Sequence, residues 1–349
     1  MDDRELLGSN RAEGASSKTI IPFTFKREDW ILLLSISPII TLTIVDFNSF
    51  ILGWNEGRGP ILFGLMFLFL EWREARSRLS LNLKGFRKAS WIISFSVLTL
   101  YYIFVYLAGL EDVIRGIGYR IGVPEAPYLL SWIRFWEYIV VAVSLTGMLA
   151  SAYTIRAPGQ VITPIVYFLG MAAILGLDAA FPYQSLGPLT SIVPIIVGIV
   201  VALLSLSGVA VSSNPLSPMD PPWIYSQGNL LLIGGLKRSV LLEINWPCIG
   251  VMSMLIYILV LFILMVKMEA PMKRKALYGI IGALGTFSVN ILRIFLITLA
   301  VAYTTIDLRV FHESIGEILF IIWIVSYLAV IIHVEGELAG VQSDLNMLG

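Results

Sequence analysis

The chain has 349 residues, of which 57% are hydrophobic and 14% are charged, and its mean hydropathy is +0.84. Soluble domains contain about 45–50% apolar and about 25% charged residues, so this composition excludes an ordinary water-soluble fold and indicates an integral membrane protein. The 24 basic and 24 acidic residues cancel, which argues against binding to nucleic acid through a basic surface.

The amino-terminal segment, residues 1–29, is polar and mixed in charge, and it lacks the apolar core of a cleaved signal peptide. We predict that it stays in the cytoplasm, that residues 30–335 form a transmembrane domain, and that residues 336–349 are a cytoplasmic tail. The first spanning helix would then be an uncleaved anchor in the cell membrane.

Nine apolar stretches follow. Crossing about 30 Å of hydrocarbon takes roughly 20 helical residues. Stretches near that length lie at 30–53, 57–72, 89–110, 135–153, 161–182, 188–210, 247–266, 277–304 and 314–334. Lipid offers the backbone no hydrogen-bond partners, so each stretch is predicted to be helical. The predicted fold class is therefore an all-α, polytopic bundle.

Two short segments concentrate basic side chains, which favour the cytoplasmic side. They contain Arg73, Arg76, Arg78, Lys84, Arg87 and Lys88 in the first, and Lys267, Lys273, Arg274 and Lys275 in the second. Five stretches separate these segments, and an odd number of crossings cannot return the chain to the same side. Either 188–210, which is rich in Gly and Pro, does not span, or another span lies in the predicted outer loop 111–134. About eight spanning helices result.

The segment before the seventh stretch has a different pattern. Two β-prone runs flank Gly234 and Gly235, and they predict a short β-hairpin on the outer surface. The hairpin leads directly to Cys248, the only cysteine of the chain, which therefore begins its helix from the outer side. A single cysteine excludes an internal disulfide and a multi-cysteine metal site, and we expect no metal or organic cofactor.

Arg293 is the most informative single residue, because a lipid-facing arginine at mid-bilayer costs roughly 3 kcal/mol or more. It should therefore face protein and have a partner, for which Asp178 and Asp307 are structural candidates. By the helical rise it lies about 24 Å from Leu277 at the cytoplasmic end, close to the outer interface. Asn290, three residues earlier, shares its helix face and can orient or hydrate it.

Cys248, Arg293 and His312 are predicted to reach one depth at the outer interface. His312 lies just before the last stretch. A thiolate nucleophile, a guanidinium that stabilises negative charge and an imidazole that moves a proton would suit acyl transfer. Each of the three could instead be structural. Asp46 and Arg58 are expected to be solvated residues of an outer loop.

The blocks Pro247–Gly250, Asn290–Ile294 and Phe311–Gly316 resemble, in order and spacing, the Cys, Arg and His blocks of the exosortase/archaeosortase family. The resemblance covers residues 145–335, and Ile249 departs from it, because serine commonly follows the cysteine in that family. It implies a membrane cysteine protease or transpeptidase in which Cys248 is the nucleophile, Arg293 the electrostatic stabiliser and His312 the proton-transfer residue.

The resemblance also implies the partners. Substrates would be surface-protein precursors that end in a recognition motif, a transmembrane helix and a basic cluster, cleaved on the outer side and passed to a lipid or other acceptor. Two alternatives remain open. Arg293 could bind an anionic substrate in a transporter or channel, although no internal repeat is evident, or all three residues could belong to a non-catalytic scaffold.

Overall fold

The computed structural model describes residues 25–51, 58–125, 128–154, 161–181, 191–214, 220–244, 250–305 and 308–348. For residues 51, 252, 308–317 and 339–348 it describes the backbone. The helices are α1 (Arg27–Val45), α2 (Phe47–Ile51), α3 (Gly59–Ala75), α4 (Phe86–Leu107), α5 (Leu110–Arg120), α6 (Tyr128–Ala152), α7 (Ile162–Ala180), α8 (Val193–Leu206), α9 (Val251–Lys267), α10 (Met272–Tyr303) and α11 (Leu308–Leu348). The strands are β1 (Ala210–Val211), β2 (Trp223–Gln227), β3 (Leu230–Gly234) and β4 (Ser239–Glu243).

Helices occupy all nine predicted apolar stretches, so the polytopic helical class is confirmed. Six helices in the described ranges are long and apolar enough to cross a membrane: α1, α4, α6, α7, α10 and the Ile318–Leu338 part of α11. Their outward faces carry exposed apolar side chains such as Ile93, Val143 and Leu284, as contact with lipid requires. The count of eight spans is approximate, because α3 and α9 have 17 residues each.

The length of α8 bears on whether the stretch 188–210 crosses the membrane. Its 14 residues cover about 21 Å, which is less than the hydrocarbon thickness of about 30 Å. This length supports the prediction that 188–210 does not cross the membrane unaided.

The prediction of a loop at 111–134 is wrong. Most of this segment is helical, as α5 and the first turns of α6. Helix α5 buries Ile114 and Gly118, and the Trp132 ring nitrogen donates a hydrogen bond of 3.0 Å to the Ile114 carbonyl oxygen. With 11 residues, α5 is about 16 Å long, so it is too short to be the additional span.

The predicted hairpin is confirmed as β3 and β4, which pair antiparallel with Leu232 opposite Leu241. The structure adds β2, antiparallel to β3, and the short β1, parallel to β2. Leu236, just after β3, donates a backbone hydrogen bond of 2.9 Å to Ala302 near the end of α10. A Cβ atom at Gly235 would lie 2.6 Å from the carbonyl oxygen of Val301, so the sheet rests directly on the end of that helix.

Two large hydrophobic clusters form most of the core. The larger contains buried side chains of α1, α3, α4, α6, α7, α9 and α11. The smaller joins α8, the sheet and the second half of α10, with Ile224, Leu231 and Ile233 fully buried. Val251, the first residue of α9, packs against both clusters. The start of α9 is therefore the place where the two parts of the core meet.

The expectation that Arg58 and Asp46 are solvated is wrong for Arg58, which is 2% exposed. Its guanidinium pairs with Glu137 of α6 at 2.7 Å and with Asp46 at 2.8 Å, and it donates a hydrogen bond to Tyr106 of α4. Arg134 reaches the other oxygen of Glu137 at 2.7 Å. The buried Glu137 carboxylate explains the difference, because it supplies the counter-charge that lets Arg58 leave water.

Asp46 lies just beyond α1, at the edge of this ion cluster. Burial raises the pKa of its carboxyl group, but hydrogen bonds from Tyr106 and Ser49 and the charge of Arg58 outweigh burial, so the pKa lies below its usual value. The stabilisation from ionised Asp46 is thus present at neutral pH, and it is lost as the pH falls through the lowered pKa.

A second polar contact joins the carboxyl-terminal ends of α3 and α9. Glu71 of α3 is 5% exposed and accepts hydrogen bonds from the backbone and hydroxyl of Thr163 at the start of α7. It also pairs with Lys267, the last residue of α9. Arg58 precedes α3 and Glu71 lies near its end, so the ion cluster and this contact are at opposite sides of the membrane domain.

Replacing Glu137 by alanine should lower the free energy of unfolding by about 3–5 kcal/mol, because the variant leaves two buried guanidinium groups without their shared counter-charge. Unfolding in mixed detergent micelles with increasing SDS measures this loss. The matched control is Glu111→Ala, which removes an exposed pair with Arg115 and should cost less than about 1 kcal/mol. Equal losses in the two variants would contradict the role assigned to Glu137.

Candidate active site

Helices α10 and α11 pack antiparallel through glycine residues. A Cβ atom at Gly285 would lie 2.0 Å from the Trp323 ring, and one at Gly282 would lie 2.5 Å from the Tyr327 ring. The ring nitrogen of Trp323 donates a hydrogen bond of 3.0 Å to the hydroxyl of Thr286. These contacts fix the register of the two helices and therefore which residues face each other farther along.

A small pocket lies one turn beyond the Thr286 contact. Its empty volume is about 190 Å³, counting the space at its open mouth. Residues from three helices line it: Ser253 of α9; Thr286, Val289, Asn290 and Arg293 of α10; and Phe320 of α11. A guanidinium, an amide and two hydroxyl groups thus surround one small space. Such a set of donors can bind an anion or an oxygen atom that gains negative charge.

Arg293 and Asn290 line this pocket together, as expected from their spacing on one helix face. Asn290 is 4% exposed, Arg293 is partly buried, and both are engaged with neighbouring groups. Of the two carboxylates considered as structural partners of Arg293, Asp178 accepts a hydrogen bond from Ser131. Asp307 lies outside the described residues.

Cys248 also lies outside the described residues, which resume at Gly250. Gly250, two residues later, packs directly on Asn290, because a Cβ atom there would lie 2.4 Å from the amide carbon of Asn290. Gly250, the first described residue after Cys248 in the sequence, therefore touches the wall of the pocket.

His312 belongs to the helix rather than to the segment before it. Helix α11 begins at Leu308, earlier than the predicted start at 314, so the His312 backbone lies in its second turn. Thr286 faces Trp323, and in an antiparallel pair this register brings residue 312 level with Ile297. That level is about one turn beyond Arg293. The structure does not describe the His312 side chain.

Sequence reasoning missed four lining residues of the pocket, which are Ser253, Thr286, Val289 and Phe320. A signal for Thr286 was present, because Thr286, Asn290 and Arg293 are spaced by four and three residues and so form one polar stripe on an apolar helix. Ser253 and Phe320 had no such signal, since their roles depend on how α9 and α11 pack against α10. Within the described ranges, no group of His, Cys, Asp or Glu side chains is placed to hold a metal ion.

A family model described as transmembrane exosortase matches residues 54–329 of the chain. The chain belongs to the exosortase family. The match begins upstream of residue 145. It therefore covers α3 and the helices that follow it, as well as the segments that carry the three blocks. No curated protein and no solved structure gives a match to the exosortase chain.

Replacing Gly285 by alanine should destabilise this exosortase, because the added methyl group would overlap the Trp323 ring and force α10 and α11 apart. Overpacking of this kind typically costs about 1–3 kcal/mol. The control is Gly279→Ala on the same helix, where the new Cβ atom would lie 3.8 Å from Leu261; there alanine should be neutral or stabilise by up to about 1 kcal/mol. SDS unfolding curves of the two variants test the difference, and a neutral Gly285→Ala would disprove the close packing.

Proposed function

We propose that this exosortase is a membrane cysteine transpeptidase that cleaves carboxyl-terminal sorting signals and transfers the released protein to an acceptor. The observation that carries the proposal is the contact of Gly250 with Asn290. Gly250 lies two positions after the only cysteine of the sequence and packs against Asn290, which lines the pocket with Arg293, so the contact supports a reaction at this pocket. Family membership agrees with this chemistry.

Each residue has a defined role in the proposed reaction. The thiolate of Cys248 attacks the scissile carbonyl carbon, and the carbonyl oxygen gains a negative charge that the Arg293 guanidinium stabilises. The C–N bond then breaks, the leaving amine takes a proton from the protonated His312 imidazole, and a thioester remains on Cys248. An acceptor amine or hydroxyl loses its proton to His312 as it attacks the thioester, and the Cys248 thiolate leaves.

The substrates in this proposal are surface-protein precursors that end in a recognition motif, a transmembrane helix and a basic cluster. The pocket lies among three apolar helices, so a substrate that is itself anchored in the membrane can approach it laterally. The proposed acceptor is a membrane lipid or another nucleophile at the outer interface. The basic loops at 73–88 and 267–275 favour an outward-facing site and a cytoplasmic amino terminus.

Cys248→Ala and Cys248→Ser should abolish processing of a co-expressed precursor from the same genome, because neither variant has a thiolate. Arg293→Ala should lower kcat about 100- to 1,000-fold, the usual effect of removing one oxyanion-stabilising group. Immunoblotting of precursor and product measures both effects. Arg115→Ala, on the exposed face of α5, serves as the control and should process normally.

Retained processing in Cys248→Ala would rule out the thiol mechanism. Anion uptake that requires Arg293 but not Cys248 would favour a transporter.

The proposed orientation can be tested with single cysteines in the Cys248→Ala background. In intact cells, a membrane-impermeant maleimide should label Ser239→Cys, on the exposed side of β4, without permeabilisation. Lys273→Cys, at the start of α10, should be labelled only after the membrane is opened. Both native side chains are exposed in the structure, so access across the membrane decides the result. The reverse pattern would place the site in the cytoplasm.

A further inference from the structure

The contact between Gly250 and Asn290 joins the segment of the cysteine to the helix of the arginine. Gly250 has φ of 90° and ψ of 21°, a left-handed conformation directly before α9 that residues with side chains rarely adopt. A Cβ atom there would also lie 2.7 Å from both terminal atoms of the Asn290 amide. The backbone conformation and the available space therefore both require glycine at this position.

The Asn290 amide is held in place on its other sides. The side chain is 4% exposed, and it lies one helical turn before Arg293 on the wall of the same pocket. Gly250 in turn is tied to α9, because its carbonyl oxygen accepts the backbone hydrogen bond of Met254 at 2.8 Å. A shift of the amide would therefore move Gly250 and the start of α9 together.

We propose that Asn290 is a positioning residue whose amide, packed against the Gly250 backbone, sets the place of Cys248 relative to Arg293. This inference rests on the proposed function and adds to it the part that holds the nucleophile. Only Ile249 separates Cys248 from Gly250 in the sequence, so the contact is close along the chain to the proposed nucleophile. Displacing a reacting group by about 1 Å can cost about 100-fold in rate, so a loss of the contact should appear in kcat.

Asn290→Ala should lower kcat for precursor processing about 10- to 100-fold and leave KM within about twofold, because the variant changes the nucleophile's position and not substrate binding. The second readout is alkylation of Cys248 by iodoacetamide over a pH series. It is specific, since the chain has one cysteine. A thiol displaced from the Arg293 charge should have a higher pKa, so the midpoint of the alkylation profile should move to higher pH.

The contact itself is tested by a double variant. Gly250→Ala should be more damaging than Asn290→Ala, because it combines backbone strain with overlap onto the amide. Adding Asn290→Ala to Gly250→Ala removes the overlap and should raise activity at least about fivefold above Gly250→Ala alone. The same substitution thus lowers activity in the native background and raises it in the glycine variant.

Gly208→Ala is the matched control for backbone strain. Gly208 has a similar φ of 88°, and its added Cβ atom would meet Tyr303 at an ordinary distance of 3.6 Å. This variant should keep kcat and the alkylation profile of the native protein. All measurements use the full chain in proteoliposomes.

The outcomes separate the two proposals. If Cys248→Ala still processes the precursor, the proposed function itself fails. If Cys248→Ala is inactive but Asn290→Ala keeps both the native kcat and the native alkylation profile, only the positioning role is overturned. A double variant no more active than Gly250→Ala would overturn it as well.

Discussion

The partial burial of Arg293 is the constraint on which the arrangement of the last three helices depends. A guanidinium on a membrane-length helix cannot face lipid without a large cost, so neighbouring helices have to enclose it. Glycine at 282 and 285 lets α11 approach α10 closely enough for large aromatic rings to fill the space between them. The result is a polar pocket on α10 that Ser253 of α9 and Phe320 of α11 also line.

Helix α9 is held at both ends by polar contacts with different elements. Its last residue, Lys267, pairs with Glu71 of α3, and the residue before its first turn, Gly250, packs against Asn290 of α10. Val251 then contacts both hydrophobic clusters. The position of Gly250 and of the start of α9 is therefore set by contacts across the membrane domain, including helices that contribute nothing to the pocket.

Much of the fold follows from the sequence because hydrophobic length and backbone hydrogen bonding leave a membrane chain few choices. The nine helical stretches were predicted for that reason, whereas the hairpin was predicted from the β-prone runs on either side of Gly234 and Gly235. Helix α5 was missed because it is amphipathic and too short to span, so hydropathy alone does not reveal it. The ion pair of Arg58 and Glu137 was missed because its partners are 79 residues apart. The stripe of Thr286, Asn290 and Arg293 can be recognised from the sequence because all three residues lie on one helix. The lining residues from α9 and α11 cannot, because they are distant from α10 in the sequence.

The ion cluster around Arg58 and the pocket at Arg293 lie on the same side of the membrane domain. Helices α3 and α9 both end at the contact of Glu71 with Lys267, so both begin at the opposite side. Arg58 precedes α3 and Gly250 precedes α9, which puts the buried ion cluster and the pocket at one face and the basic loop after Lys267 at the other. Buried charge pairs are strong only where water is excluded, and in this protein they tie α1, α3, α4 and α6 together at that face. The first half of the chain thus supports the bundle at the same depth as the proposed chemistry. This arrangement gives a physical reason why the family match begins at residue 54 rather than at the blocks around Cys248, Arg293 and His312.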